Sequence, residues 1–333
     1  MHTVESWLSH WRIHLLEHRR LSPHTVAAYL RDILTLQTLI EPTPFAEVSP
    51  ALIRKVLAQL HQQGEHPRSL SRRLSAWRQF FHWLQQQQHY TGPNPCAEVR
   101  APKIPRPLPK ALSVEHTQLL LEHGAPKGPP PTHPDTATLM AYRDQALFEL
   151  FYSCGLRLSE LVSLDYRYVQ EKNYQSSSWL VLDSRSLRVA GKGSKARLLP
   201  IGRHAITALE HWLSIRPLLL SRHPQVDPSH RAALFLGQKG RRIHPRVVQQ
   251  QLARRAQAAG LAEHVHPHRL RHSFASHILQ SSQDLRAVQE LLGHENIRST
   301  QIYTRLDFQH LAKIYDHAHP RAKKNNQKRN KNE

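Results

Sequence analysis

Six side chains in the C-terminal two-thirds of the chain carry chemistry that belongs together: Arg157, Lys192, His268, Arg271, His294 and Tyr303. Two guanidinium forks can hold the non-bridging oxygens of a phosphodiester. In the pentavalent transition state each such contact contributes ~3 kcal/mol. A phenol can attack phosphorus and form a phosphotyrosine if nearby cations lower its pKa from ~10 and an imidazole takes its proton. The displaced 5′ oxygen must leave as an alcohol, which requires an acid. Lys192, between Gly191 and Gly193 in a turn, is the candidate for that role. Singly, none of these residues is specific, because an arginine at a helix start is ordinarily a surface cation and a tyrosine on a short helix ordinarily a core residue.

Other chemistries fit less well. The glycine turn around Lys192 is not a nucleotide-binding loop, because Ser186 stands where the first glycine should be and Gly193 where a serine or threonine should be. The segment HVHPHRLRHSFASHIL at 264–279 invites a zinc reading, but Arg269 and Arg271 would repel a dication and Glu263 is the nearest acid. No metal and no cofactor is expected. The cysteines, Cys96 and Cys154, are too far apart in sequence for a clustered ligand set and read as reduced thiols.

The elements that must position these residues follow from periodicity. Val4, Trp7, Leu8, Trp11 and Leu15 form one helical stripe, and Val26, Tyr29, Ile33, Leu36 and Ile40 form a second, opened by Ser22 and Pro23. Ser49 and Pro50 open a third helix bearing Ile53, Leu57 and Leu60. A fourth carries Leu70, Leu74, Trp77, Phe81 and Leu84 together with Arg68, Arg72, Arg73 and Arg78. The proline-rich basic stretch 93–110 reads as an extended linker with its cations free, and 123–135 reads as a surface loop. A helix is expected over 142–152 and another after Ser159 and Glu160. Short antiparallel strands are expected over 179–183, 187–191 and 197–201, and helices again from Ala205. Pro267 opens a helix that shows His268 and Arg271 on one face with Leu270, Phe274 and Ile278 behind them, and Gly293 should end the next helix just before His294. The fold class is therefore mainly α with a small antiparallel β-sheet. Its expected layout is a helical domain over 1–92, a linker over 93–110, an α+β domain over 111–320 and a basic tail without fixed structure over 321–333.

With 46 Lys plus Arg against 25 Asp plus Glu the formal charge is +21, which calls for a polyanionic partner. No run approaches the ~18 apolar residues of a membrane span and the N-terminus lacks a signal-peptide pattern, so no membrane association and a cytoplasmic location are expected.

The segments GLRLSE, GKGSKAR, PHRLRHSFASHIL, LLGHENIRSTQIYT and HPRA stand in an order and spacing that resemble the tyrosine site-specific recombinases of the Xer type. SPHTVAAYLRDI and RSLSRRLSAWRQFFHWL similarly resemble that family's N-terminal core-binding, SAM-like four-helix domain. The resemblance implies two domains forming a C-shaped clamp on duplex DNA. It places Arg157, Arg271, His268 and His294 around the scissile phosphate, with Lys192 as acid and Tyr303 as the nucleophile of an O-(3′-phospho-DNA)-tyrosine intermediate. It implies a heterotetramer with a second, XerD-like Xer-type recombinase on two DNA sites, a septal DNA translocase as a further partner, and resolution of chromosome dimers at the replication-terminus site during cell division. The helices at 68–84 and 244–259 are the candidate DNA readers. Phe308, Leu311 and Ile314 would dock a final helix on a neighbouring protomer or on their own. The loop 124–134 and the long stretch before the GKG turn depart from the family pattern. A phage- or transposon-type integrase would share the six residues, and a non-catalytic architectural DNA-binding protein would share the charge.

Overall fold

Serine followed by proline starts a helix well, because the hydroxyl takes a free N–H of the first turn while proline has none to satisfy. A computed structural model gives the structure over residues 4–102, 111–191, 196–263, 265–292, 315 and 318–321, and the chain divides into two units, Met1–Leu108 and Pro109–Glu333. In the first unit, α1 (Val4–Ile13) runs into a π-helical turn, His14–His18, that carries Leu15 into the core. Ser22 caps α2 (Pro23–Ile40) by accepting from Thr25 N at 3.2 Å, and Ser49 caps α3 (Pro50–Gln62) by accepting from Leu52 N at 3.3 Å. α4 (Pro67–Gln86) is capped by His66. Trp11, Ile33, Ile53, Leu70, Trp77, Phe80 and Phe81 are wholly buried among these four helices.

The cations of α4 are largely occupied inside this unit. Buried Asp32 is ion-paired to Arg72 and, at 3.3 Å, to Arg73, which also holds Glu65 at 2.6 Å. Arg78 donates to the carbonyls of Cys96 and Val99. The start of the proline-rich stretch is accordingly folded onto α4, with Cys96 and Val99 buried and Asn94 donating to Arg78 O, whereas the composition suggested an extended connector. Arginine and asparagine side chains satisfy the carbonyls and N–H groups that the prolines leave without regular partners.

The second unit is built round α6 (Thr136–Cys154), buried from Leu139 to Cys154 apart from Ala141, Asp144 and Gln145, which are half-buried. α5 (Val114–Glu122), α8 (Arg203–Ser221) and α11 (Pro267–Ser282) pack against it. α7 (Leu158–Ser163) follows α6 directly, and α9 (Pro228–Arg231), α10 (Pro245–Ala258) and α12 (Leu285–Leu292) complete the helices described. β3 (Trp179–Val181), β4 (Ser186–Ala190) and β5 (Ala196–Pro200) form the antiparallel sheet, with Trp179 opposite Arg188 and Leu187 opposite Leu199. A second hairpin, β1 (Gln170–Glu171) with β2 (Tyr174–Gln175), was not legible in the sequence. It is held by one buried acid: Tyr174 OH donates to Asp165 Oδ2 at 2.7 Å and Arg242 Nη2 donates to Asp165 Oδ1 at 2.7 Å. The loop 123–135 is also tied down, since Tyr142 OH donates to Pro129 O and Arg222 donates to Pro134 O. No helix among the described residues is long and apolar enough to cross a membrane.

Polar links join α6 to its neighbours. Tyr152 OH donates to His277 Nδ1, and His277 Nε2 donates to Leu112 O, each at 2.8 Å, which sets the imidazole tautomer. Near the C-terminus, Tyr315 stacks on His319 at 4.7 Å and shares a hydrogen bond with Ser153. Arg321, which composition assigned to the tail, is instead buried in the body, ion-paired to Glu149 and, at 2.9 Å, to Glu122. An ion pair over apolar surface holds this arginine where charge counting alone reads a solvated run.

Two stability effects follow. Gly155 ends α6 at φ +54, and a Cβ there would stand 2.2 Å from Phe274 Cδ1, so Gly155→Ala should cost about 2–4 kcal/mol in urea unfolding from left-handed strain plus overpacking. Arg321→Ala should cost about 3 kcal/mol at neutral pH by leaving the Glu149 carboxylate buried with its main partner gone. Burial already raises the Glu149 carboxyl against the pull of Arg321. The folded variant therefore takes up a proton before its unfolded chain does, and the Arg321→Ala penalty should shrink as pH falls below neutral.

Candidate active site

The site begins at the turn between α6 and α7. Left-handed Gly155 reverses the chain, and Arg157 takes an extended conformation as the residue before the first turn of α7. Three residues on, Glu160 folds back: its Oε2 accepts from Arg157 N at 2.7 Å and its Oε1 accepts from Arg157 Nη1 at 2.8 Å. One carboxylate thus fixes both ends of the arginine, half of a capping box closed by charge. Arg157 remains 42% exposed, so its outer edge is open to a ligand.

Two more guanidinium groups reach the same carboxylate. Arg197, at the start of β5, donates from Nη2 to Glu160 Oε2 at 3.0 Å. Arg271, one turn into α11, has its Nη1 3.9 Å from that oxygen while Nη1 donates to Gly155 O and Nη2 donates to Leu292 O at 2.7 Å. Burial alone would raise the Glu160 carboxyl, but the hydrogen bond and charge of Arg197 and both bonds from Arg157 hold it below the ordinary carboxylate range. Arg271 is pushed down to about 10, first by burial and then by the neighbouring Arg157 cation. Three cations around one anion leave a surplus of positive charge in a half-buried site, an environment that favours a bound anion.

The structure brings Arg157 and Arg271 together. His268 lies in the first turn of α11, exposed, three residues before Arg271, where Pro267 and the His266 cap place the helix start. Lys192, His294 and Tyr303 lie outside the described residues. In sequence, Lys192 falls between β4 and β5, and His294 comes two positions after Leu292, whose carbonyl accepts from Arg271. The acid nearest the histidine-rich segment, Glu263, is ion-paired to Arg269.

Sequence reasoning read Glu160 as a helix signal and Arg197 as the end of a motif, and so missed both as members of the site. The signals were present. Glu160 has the capping-box spacing from Arg157, and Arg197 alternates with Leu199 on the face of β5 that turns inward.

Outside this cluster, α4 and α10 are basic helices. On α4 the ion pairs leave Arg68 without a side-chain hydrogen bond or ion pair among the described residues, with Arg72 partly exposed. On α10, Arg255 is occupied by His123 O and Gln145, whereas Arg246, Gln250 and Arg254 stand four residues apart on an exposed face.

Comparison with known proteins agrees with this picture. Residues 133–310 match the Phage integrase family, and residues 8–88 match the Phage integrase, N-terminal SAM-like domain. The chain is 51% identical over 310 residues to Tyrosine recombinase XerC 1 of Ralstonia nicotianae, covering 92% of this chain and 91% of that protein. To Tyrosine recombinase XerC of Alcanivorax borkumensis it is 44% identical over 324 residues, covering 97% and 95%. In fold it is similar to a lambda integrase dimer bound to a COC′ core site, with a TM-score of 0.62 at 17% identity over 91% of this chain and 100% of that one. It is equally similar to XerH recombinase bound to palindromic difH substrate in a post-cleavage complex, with a TM-score of 0.62 at 21% identity over 90% and 81%. The chain belongs to the phage integrase family of tyrosine recombinases, and within it to the Xer-type site-specific recombinases, enzymes of DNA strand exchange.

Proposed function

We propose that the chain cuts and rejoins duplex DNA through a 3′-phosphotyrosyl intermediate formed on Tyr303. The convergence of Arg157 and Arg271 on the shared carboxylate of Glu160 is the observation that carries this reading. In it, Arg157 and Arg271 hold the non-bridging oxygens of the scissile phosphate, with His268 and His294 beside them. The Tyr303 phenolic oxygen attacks phosphorus, an imidazole accepts its proton, and the bond to the 5′ oxygen breaks as Lys192 protonates that oxygen. Attack of a 5′ hydroxyl on the phosphotyrosine reverses the sequence. One phosphoester replaces another at each step, so neither a metal nor an energy source is needed.

The two units would close on a recombination site as a clamp. Arg68 on α4 and the Arg246, Gln250 and Arg254 face of α10 would meet the duplex, a reading supported by their exposure and by the +21 charge. A heterotetramer with a second, XerD-like recombinase on two sites, activation by a septal DNA translocase, action in the cytoplasm and resolution of chromosome dimers at the replication terminus are the biological setting this chemistry would serve.

On a nicked suicide duplex carrying the host's terminus site, the wild-type chain with its paralogue should accumulate a covalent protein–DNA complex. Tyr303→Phe should lose that complex while binding the duplex with unchanged affinity; capture by Tyr303→Phe at the wild-type level would remove the nucleophile assignment. EDTA should leave the wild-type cleavage rate unchanged, and loss of cleavage restored by added divalent metal would contradict metal-free transesterification.

A further inference from the structure

The inward face of the three-stranded sheet is apolar at Leu180, Leu187, Val189 and Leu199, all nearly or wholly buried. Arg197 is the exception. It pairs across the ladder with Val189, points to the same side as Leu199, and is 6% exposed. Burying a guanidinium costs more than burying a leucine of similar volume, and here the Nε is buried with no hydrogen-bond partner among the described residues. Packing therefore gives no reason for an arginine at this position. Its ion pair does: Nη2 reaches Glu160 Oε2, the oxygen that also holds the backbone N–H of Arg157.

We propose that Arg197 is a positioning residue of the recombination site, fixing the Glu160 carboxylate so that Arg157 and Arg271 are held at the spacing the scissile phosphate requires. The inference rests on the roles given above to Arg157, Arg271, Lys192 and Tyr303. It adds a coupling between two parts of the machinery. Arg197 is the second residue of β5, five positions after Lys192 in sequence, and its strand is tied to the carboxylate that organises the anion clamp.

Among the described residues, the groups facing the Glu160 carboxylate are Arg157 from the turn before α7, Arg197 from β5 and Arg271 from α11. Among the influences that keep this carboxyl ionised, the hydrogen bond and charge of Arg197 are the leading ones. Removing Arg197 should therefore raise the pH at which Glu160 takes up a proton, and with it the pH at which the clamp loses its anchor. A contribution to packing alone would not move that limb.

The test is single-turnover covalent cleavage by the full chain with its paralogue on the nicked duplex, followed against pH, beside duplex affinity and circular dichroism. Arg197→Gln should bind the duplex within roughly threefold of wild type yet cleave roughly 10²-fold more slowly, with the acid limb of its rate profile moved to higher pH. Glu160→Gln should show a comparable rate loss with that acid limb gone, and the double variant should be no worse than Glu160→Gln within roughly threefold, because both changes remove one arrangement. A folded Arg197→Gln that cleaves at the wild-type rate and profile would overturn the proposal. So would a double variant whose defects multiply. If Arg197→Gln does not fold, Glu160→Gln decides: wild-type cleavage by that isosteric variant means the carboxylate anchored by Arg197 is dispensable, and the proposal fails. Absence of any covalent complex from the wild-type pair would instead contradict the phosphotyrosyl reading, so the two failures are distinguishable.

Discussion

In the proposed reaction, like charges must be held side by side before the phosphate arrives. At an effective dielectric of about 20, two guanidinium groups ~5 Å apart repel by roughly 3 kcal/mol, and here a third joins them around Glu160. One carboxylate offsets part of that repulsion. The remainder is left for an anionic ligand; under the proposed function, the site is preorganised for phosphate at some cost to the empty fold. The local devices around it serve this placement: the left-handed Gly155 that aims Arg157 and gives its carbonyl to Arg271, the α11 start set by Pro267, and the Leu292 carbonyl that takes the other edge of Arg271.

The helices were legible because their signals are local. Ser22, Ser49 and Pro267 mark helix starts by hydrogen-bond chemistry that acts within four residues, and the stripe from Leu70 to Leu84 is buried as its spacing predicts. The three strands of the sheet were found within about two residues at each end. What was not legible depends on partners far apart in sequence. Asp32 ion-pairs Arg72 and Arg73 from about forty positions away, which occupies two of the cations of that basic helix inside the unit. The Asp165, Tyr174 and Arg242 network builds a hairpin where periodicity showed only a long connection.

The site was half legible for the same reason. Residue type and order singled out Arg157 and Arg271, which the structure brings together at Glu160, since phosphate chemistry needs guanidinium. Glu160 and Arg197 bear no chemistry that a phosphodiester requires. Their importance lies in geometry, one carboxylate shared by three arginines, and that appears only when α7, β5 and α11 are seen together. Arg321 teaches the complementary lesson: a residue at the head of a basic run can be buried if acids such as Glu149 wait for it in the core.

The charge-neutralising role of the arginine pair can be isolated by changing the substrate. A duplex whose scissile phosphate is replaced by methylphosphonate carries no negative charge there, so a cation that acts by neutralising charge becomes dispensable. Comparing Arg271→Ala with wild type on the two substrates in single-turnover cleavage should show a large deficit on phosphate that nearly disappears on methylphosphonate. An equal deficit on both substrates would contradict the view that this cluster of arginines exists to receive the charge of the phosphate.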